Sequence, residues 1–156
     1  MKRNNRDARI LLRILLFLYC LIMLYLLFFR SFHRIEGLSY QEQLRQSCSL
    51  KPFYTIKNYV HIVLYGTSPH LIRHCFINLF GNVLLFIPAG ILLPANFKKQ
   101  QNFFRFLLTC AGTILAVETV QLFTLLGVFD VDDIILNLIG MTLGFFLWKL
   151  FRLIRK

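Results

Sequence analysis

Four stretches of this chain, at about 10–29, 71–93, 106–126 and 134–151, are apolar and almost free of charge. Each approaches the roughly 20 residues that a membrane-spanning helix requires. Between the first and second, the residues around Tyr40–Gln46 are polar and helix-compatible, and Lys51-Pro52-Phe53 predicts an extended bend. Beyond the bend, Ile56, Tyr59, Val60, Val63 and Leu64 recur at helical spacing, opposite Lys57, Asn58 and His61, until Gly66 and Pro69 end the run. That is the pattern of a helix lying in the membrane interface. The expected fold is all-α: a polytopic bundle of four transmembrane helices with an interfacial helix in the first long loop, as one domain over 1–156.

Composition agrees: 57% of the 156 residues are hydrophobic, and the mean hydropathy is +0.62. The first apolar stretch runs on through Phe28 and Phe29 with no small-residue cleavage pattern, so it reads as a span rather than a secretory signal. The net charge of +11 would suit a nucleic-acid binder, but its distribution argues for topology instead. Basic residues cluster at Lys2–Arg13, at Lys98, Lys99 and Arg105, and at Lys149–Lys156, whereas the turn before the fourth span carries only Asp130, Asp132 and Asp133. Excess Lys and Arg mark cytoplasmic segments. Both termini and the 98–105 loop are therefore expected in the cytoplasm, with 30–70 and 127–133 outside. Arg30, Arg34, Arg45, Lys51 and Lys57 are spread thinly over the outer loop and do not change that assignment.

Cys20, Cys75 and Cys110 fall in separate spans and Cys48 in the outer loop, without metal-ligand spacing. A Cys48–Cys75 bridge is open on topology, but buried free thiols acting as small hydrophobes are the better reading. No cofactor or metal is expected.

Polar residues inside the spans carry the functional signal. An ionised carboxylate at mid-bilayer costs about 2.5–3.5 kcal/mol on insertion scales, so Glu118 in the third span must face a protein interior or a wet cavity. Gln121 lies one turn further on the same face. In the second span Asn78 and Asn82 share a face, either bonding to neighbouring helices or lining a cavity. Asp130 stands where the N-cap of the fourth span belongs, Asp133 at N3, and Asn137 one turn beyond; Asp132 reads as solvated. Gly140 and Gly144 form a GxxxG pair suited to close helix packing. Counted at 1.5 Å per residue, Asn78, Asn82, Glu118 and Asn137 lie roughly 10–16 Å below the outer edge, in the outer half or at the midplane. A polar pocket opening outward is the expectation.

Asn82-Val83-Leu84-Leu85-Phe86-Ile87-Pro88-Ala89-Gly90, Glu118-Thr119-Val120-Gln121, Gly127-Val128-Phe129-Asp130-Val131-Asp132-Asp133 and Asn137-Leu138-Ile139-Gly140 together resemble the VanZ-like family of small bacterial membrane proteins. The resemblance extends over roughly 10–150. It implies a bacterial cell-membrane protein that lowers susceptibility to teicoplanin-type lipoglycopeptides. It carries over Asn82, Pro88, Gly90, Glu118, Gln121, Asp130, Asp133, Asn137 and Gly140 as motif residues. Many members have an arginine where Val128 stands here, which counts against a role needing a guanidinium at this turn unless Arg73 approaches from the second span.

Three functions compete. The first is a non-enzymatic pocket, with Asn78, Asn82, Glu118, Gln121, Asp130, Asp133 and Asn137 as ligand-binding residues for a lipid-linked cell-wall precursor or a lipoglycopeptide. The second is an intramembrane enzyme modifying a lipid or cell-wall precursor, with Glu118 as general acid or base and Asp130 or Asp133 as partner. The third is a proton or ion relay, which would need an oligomer. Membrane lipids are expected partners, and nucleic acid is not. His61, His70 and His74 lie near the outer surface, and only His74 is placed to reach Asp133.

Overall fold

The computed structural model describes residues 2–29 and 37–154. Arg30, Arg34, Arg155 and Lys156, which entered the charge argument, lie outside them. Six helices form in the order α1 (Lys2–Phe29), α2 (Tyr40–Gln46), α3 (Tyr54–Tyr65), α4 (Pro69–Asn96), α5 (Phe103–Thr124) and α6 (Val131–Ile154). Helices α1, α4, α5 and α6 are long and apolar enough to cross a membrane, as the hydropathy pattern predicted, and α3 is the expected loop helix. Two two-residue strands that the sequence did not signal, β1 (Cys48–Ser49) and β2 (Phe129–Asp130), pair in parallel, Cys48 with Phe129 and Ser49 with Asp130. They tie the first long loop to the turn before α6.

The expected bend at Lys51–Phe53 is a turn rather than extended chain: Phe53 is left-handed, with φ 62°. The reason lies in α6, whose Asp132 takes the Phe53 N–H (below). Ser39 starts α2 with a complete capping box, and hydrogen bonds from the Ser39 side chain and backbone hold the Glu42 carboxyl below its usual range.

Helices α4 and α6 form the central pair. Gly90 and Gly144 face one another, and Gly140 lies on the Val83 carbonyl, so the two backbones nearly touch. A methyl at Gly144 would overlap the Ile87 carbonyl oxygen and sit 2.9 Å from the Gly90 Cα. Helix α5 adds a core of Phe106, Cys110 and Ile114 against Met141 and Phe145, with the Phe106 and Phe145 rings 4.8 Å apart. Helix α1 packs chiefly on α4 and stays exposed along most of its length. All four cysteines are free; Cys75 and Cys110 are buried, Cys48 is half-buried, and Cys20, contrary to expectation, is exposed because α1 turns it outward.

Basic residues gather at one end of the bundle, around the 3-10 turn Lys98–Gln101. There Arg152 hydrogen-bonds Gln101 (2.7 Å) and lies over the Trp148 ring. The other end carries α2, α3 and the turn before α6.

The glycine contacts give a matched pair of stability tests. Gly144→Ala should destabilise the bundle by about 3 kcal/mol, because the obstacle is backbone that cannot swing away. Gly112→Ala meets nothing within 4 Å on α5 and should be neutral or stabilise by up to about 1 kcal/mol. Thermal unfolding of the two variants in detergent micelles measures the difference.

Candidate functional site

The site is built where α6 begins. Asp130 caps the helix: its Oδ1 accepts the Asp132 N–H at 2.9 Å, and its Oδ2 accepts the Thr55 hydroxyl at 2.7 Å. The capping expectation for Asp130 therefore holds, and its side chain also reaches α3. Asp133, at N3, turns toward α4 and accepts from the Asn82 amide at 2.7 Å.

Asp132 is not solvated. Its relative exposure is 0%, among the lowest in the chain. Oδ1 accepts the Phe53 N–H (2.5 Å) and Oδ2 the Ile56 N–H (2.9 Å), the N-cap and N3 amides of α3. Phe53 has no side-chain acceptor to offer, so α6 supplies across the fold the cap that α3 lacks in its own sequence. The carboxylate also stands at the positive end of the α3 dipole.

Below this turn lies a cavity of about 480 Å³. It brings together Asn78, Asn82, Glu118, Gln121, Asp133 and Asn137, all candidates from the sequence; Asp130 stands behind the wall as a cap and does not line it. Arg73 and Val128 both line this cavity. His70 and His74 line the same mouth, but the His74 ring contacts Asn78 (3.4 Å) and the edge of Tyr59 rather than Asp133. Tyr59 of α3 roofs the cavity, and burial, assisted by the Asp133 charge, raises its phenol pKa.

The carboxylates differ in their satisfaction. Gln121 donates to the Leu27 carbonyl at 2.7 Å, joining α5 to the end of α1. Gly127 makes room for it, since a Cβ there would come within 3.1 Å of the Gln121 amide. Glu118, 4% exposed, lies against the Asp130 backbone amide, yet its Oε2 meets no protein donor; the Asn137 Oδ1 is in the same position. Two buried acceptors in the cavity lining thus remain open, whereas Asp130, Asp132 and Asp133 are each held by named donors. Such unsatisfied groups cost about 1–3 kcal/mol each. They make the floor a place for a hydroxyl, an N–H or water.

These differences set the order of stability effects. Asp132→Asn keeps one acceptor but puts an amide donor against one of the two backbone N–H groups, and should cost about 2–3 kcal/mol. Glu118→Gln should cost under about 1 kcal/mol, since it removes a charge that lacks full compensation. Equal thermal midpoints for the two variants in detergent would contradict the assignment of Asp132 as the cap of α3.

Among the described residues no group of three His, Cys, Asp or Glu is placed to hold a metal ion. No solved structure matches the chain. The VanZ/LLP1 family model matches residues 16–152. The chain is also similar to Protein VanZ of Enterococcus faecium, with 31% identity over 145 residues, covering 92% of this chain and 76% of that protein. The match takes in α4, α5 and α6 and the whole polar cavity between them, and this multi-pass membrane protein belongs to the VanZ/LLP1 family.

Proposed function

We propose that this protein lowers susceptibility to teicoplanin-type lipoglycopeptides by binding a lipid-linked ligand, or the drug itself, in its polar cavity. The observation that carries the reading is the convergence of Asn82, Glu118, Asp133 and Asn137 on one chamber inside a membrane bundle, with open acceptors on its floor. The similarity to Protein VanZ supports the resistance role, and the concentration of basic residues at the opposite end supports an orientation with the cavity mouth outside the cell and both termini in the cytoplasm. Arg73, His70 and His74 at the mouth suit an anionic group; Asn82 and Asn137 deeper in suit hydroxyls and amides.

Binding accounts for this equipment better than catalysis. Of the carboxylates lining the cavity, Asp133 is held by Asn82 and roofed by α3, which fits it for positioning more than for proton transfer.

If the chamber mediates protection, Glu118→Gln should return lipoglycopeptide susceptibility to that of cells lacking the protein while expression stays near normal. Lys57→Gln, on the exposed face of α3, should leave protection intact. Growth-inhibition assays with matched membrane levels decide it, and full protection by the Glu118→Gln protein would remove the chamber from the mechanism.

A further inference from the structure

A second cavity, of about 300 Å³, lies end to end with the polar one. Its lining is almost wholly apolar: it runs along α1 from Leu16 to Leu27 and along α5 from Thr109 to Glu118. At 1.5 Å per residue that is roughly 16 Å of α1 and 13 Å of α5, so the chamber is a slot parallel to the helices rather than a round pocket. Thr109 and Thr113 do not make it polar, because each hydroxyl bonds the carbonyl four residues back.

The slot and the polar cavity share Met23, Leu27, Phe86, Glu118 and Asn137. The shared floor is therefore where the two open acceptors sit. The slot is also open at the side. Helix α1 packs chiefly on α4 and α5 on α6, and the hydrogen bond from Gln121 to Leu27 joins α1 and α5 at one end only. Cys20, Leu24 and Thr113, on the slot walls, are exposed on the flank that faces the bilayer.

We propose that the slot takes the hydrocarbon chain of a single-chain membrane amphiphile of lysophospholipid type, which enters sideways between α1 and α5 and places its headgroup in the polar cavity. The proposal deepens the reading of the polar cavity as a binding site and rests on it. One chain fills a slot one helix-gap wide. A hydroxyl beside the chain meets Glu118 Oε2 and Asn137 Oδ1, the two acceptors in these linings that lack protein donors. A phosphate further out reaches Arg73, His70 and His74 at the mouth. An order of chain, hydroxyl and anion along one axis thus matches an order of apolar wall, open acceptor and basic side chain.

The test uses the full-length protein in nanodiscs with lysophosphatidylglycerol carrying a diazirine in its acyl chain, followed by peptide mapping of the photoproducts. Labelling should concentrate on Cys20, Thr113 and Val117 and be displaced by excess unlabelled lysophosphatidylglycerol. Val117→Trp, and independently Cys20→Trp from the opposite wall, should reduce it to the level seen on Leu108, which faces away from the slot at 76% exposure. Labelling that spreads over Leu108 and Phe123 and resists displacement is the signature of bulk lipid and would overturn the proposal. An unlabelled slot in a protein whose protection still depends on Glu118 removes this inference alone. A displaceable slot label, with protection indifferent to Glu118→Gln, removes the resistance reading and leaves the chain site standing.

Discussion

A carboxylate inside a membrane bundle must find donors, and the placement of four of them organises this protein. Asp130, Asp132 and Asp133 leave one turn in three directions, to Thr55, to the α3 amides and to Asn82. Two of these contacts fix α3, and the third fixes α4, against the start of α6. Because Asp132 caps α3 and Asp130 holds Thr55, the loop helix becomes the roof of a chamber. Asp133 and Asn82 form one wall. Removing any one of these charges from its donors would leave a buried group costing several kcal/mol, which is why a short turn can hold a long loop in place.

Helix packing supplies the rest of the frame. Glycines 90, 140 and 144 let α4 and α6 approach until their backbones meet, while α1 packs on α4 and α5 on α6. The polar chamber at one end and the apolar slot below it are the space left between α1, α5 and this pair. Glu118 stands at the junction, and it is the carboxylate that the protein leaves incompletely bonded. The three aspartates of the turn each have a named donor, and the open acceptors of Glu118 and Asn137 line the cavities. That division between Asp132 and Glu118 is the physical basis for assigning one to stability and proposing the other for ligand.

Much of this was legible in the sequence. The four spans followed from run length alone, and Asn82, Glu118, Gln121, Asp133 and Asn137 stood out because polar groups in lipid need an interior. The capping role of Asp130 followed from its position. Asp132 was misread because charged residues in a turn are usually solvated, and its partners are backbone amides 76 and 79 residues away that no side-chain pattern announces. The left-handed Phe53 was hidden for the same reason: its conformation answers to a contact from α6. The apolar slot could not be seen at all, since Leu, Ile, Val and Met read alike whether they face lipid, core or an empty groove.

The proposed function requires the polar chamber to open to the outside of the cell, where lipid-linked precursors and glycopeptides are met. The direct measurement places single cysteines at Ser68 and Asn78 in a protein whose four native cysteines have been replaced. Both are then exposed to a membrane-impermeant thiol reagent on intact cells. Ser68→Cys and Asn78→Cys should both react from outside without permeabilisation. Reaction of both sites only after the membrane is opened would contradict that orientation.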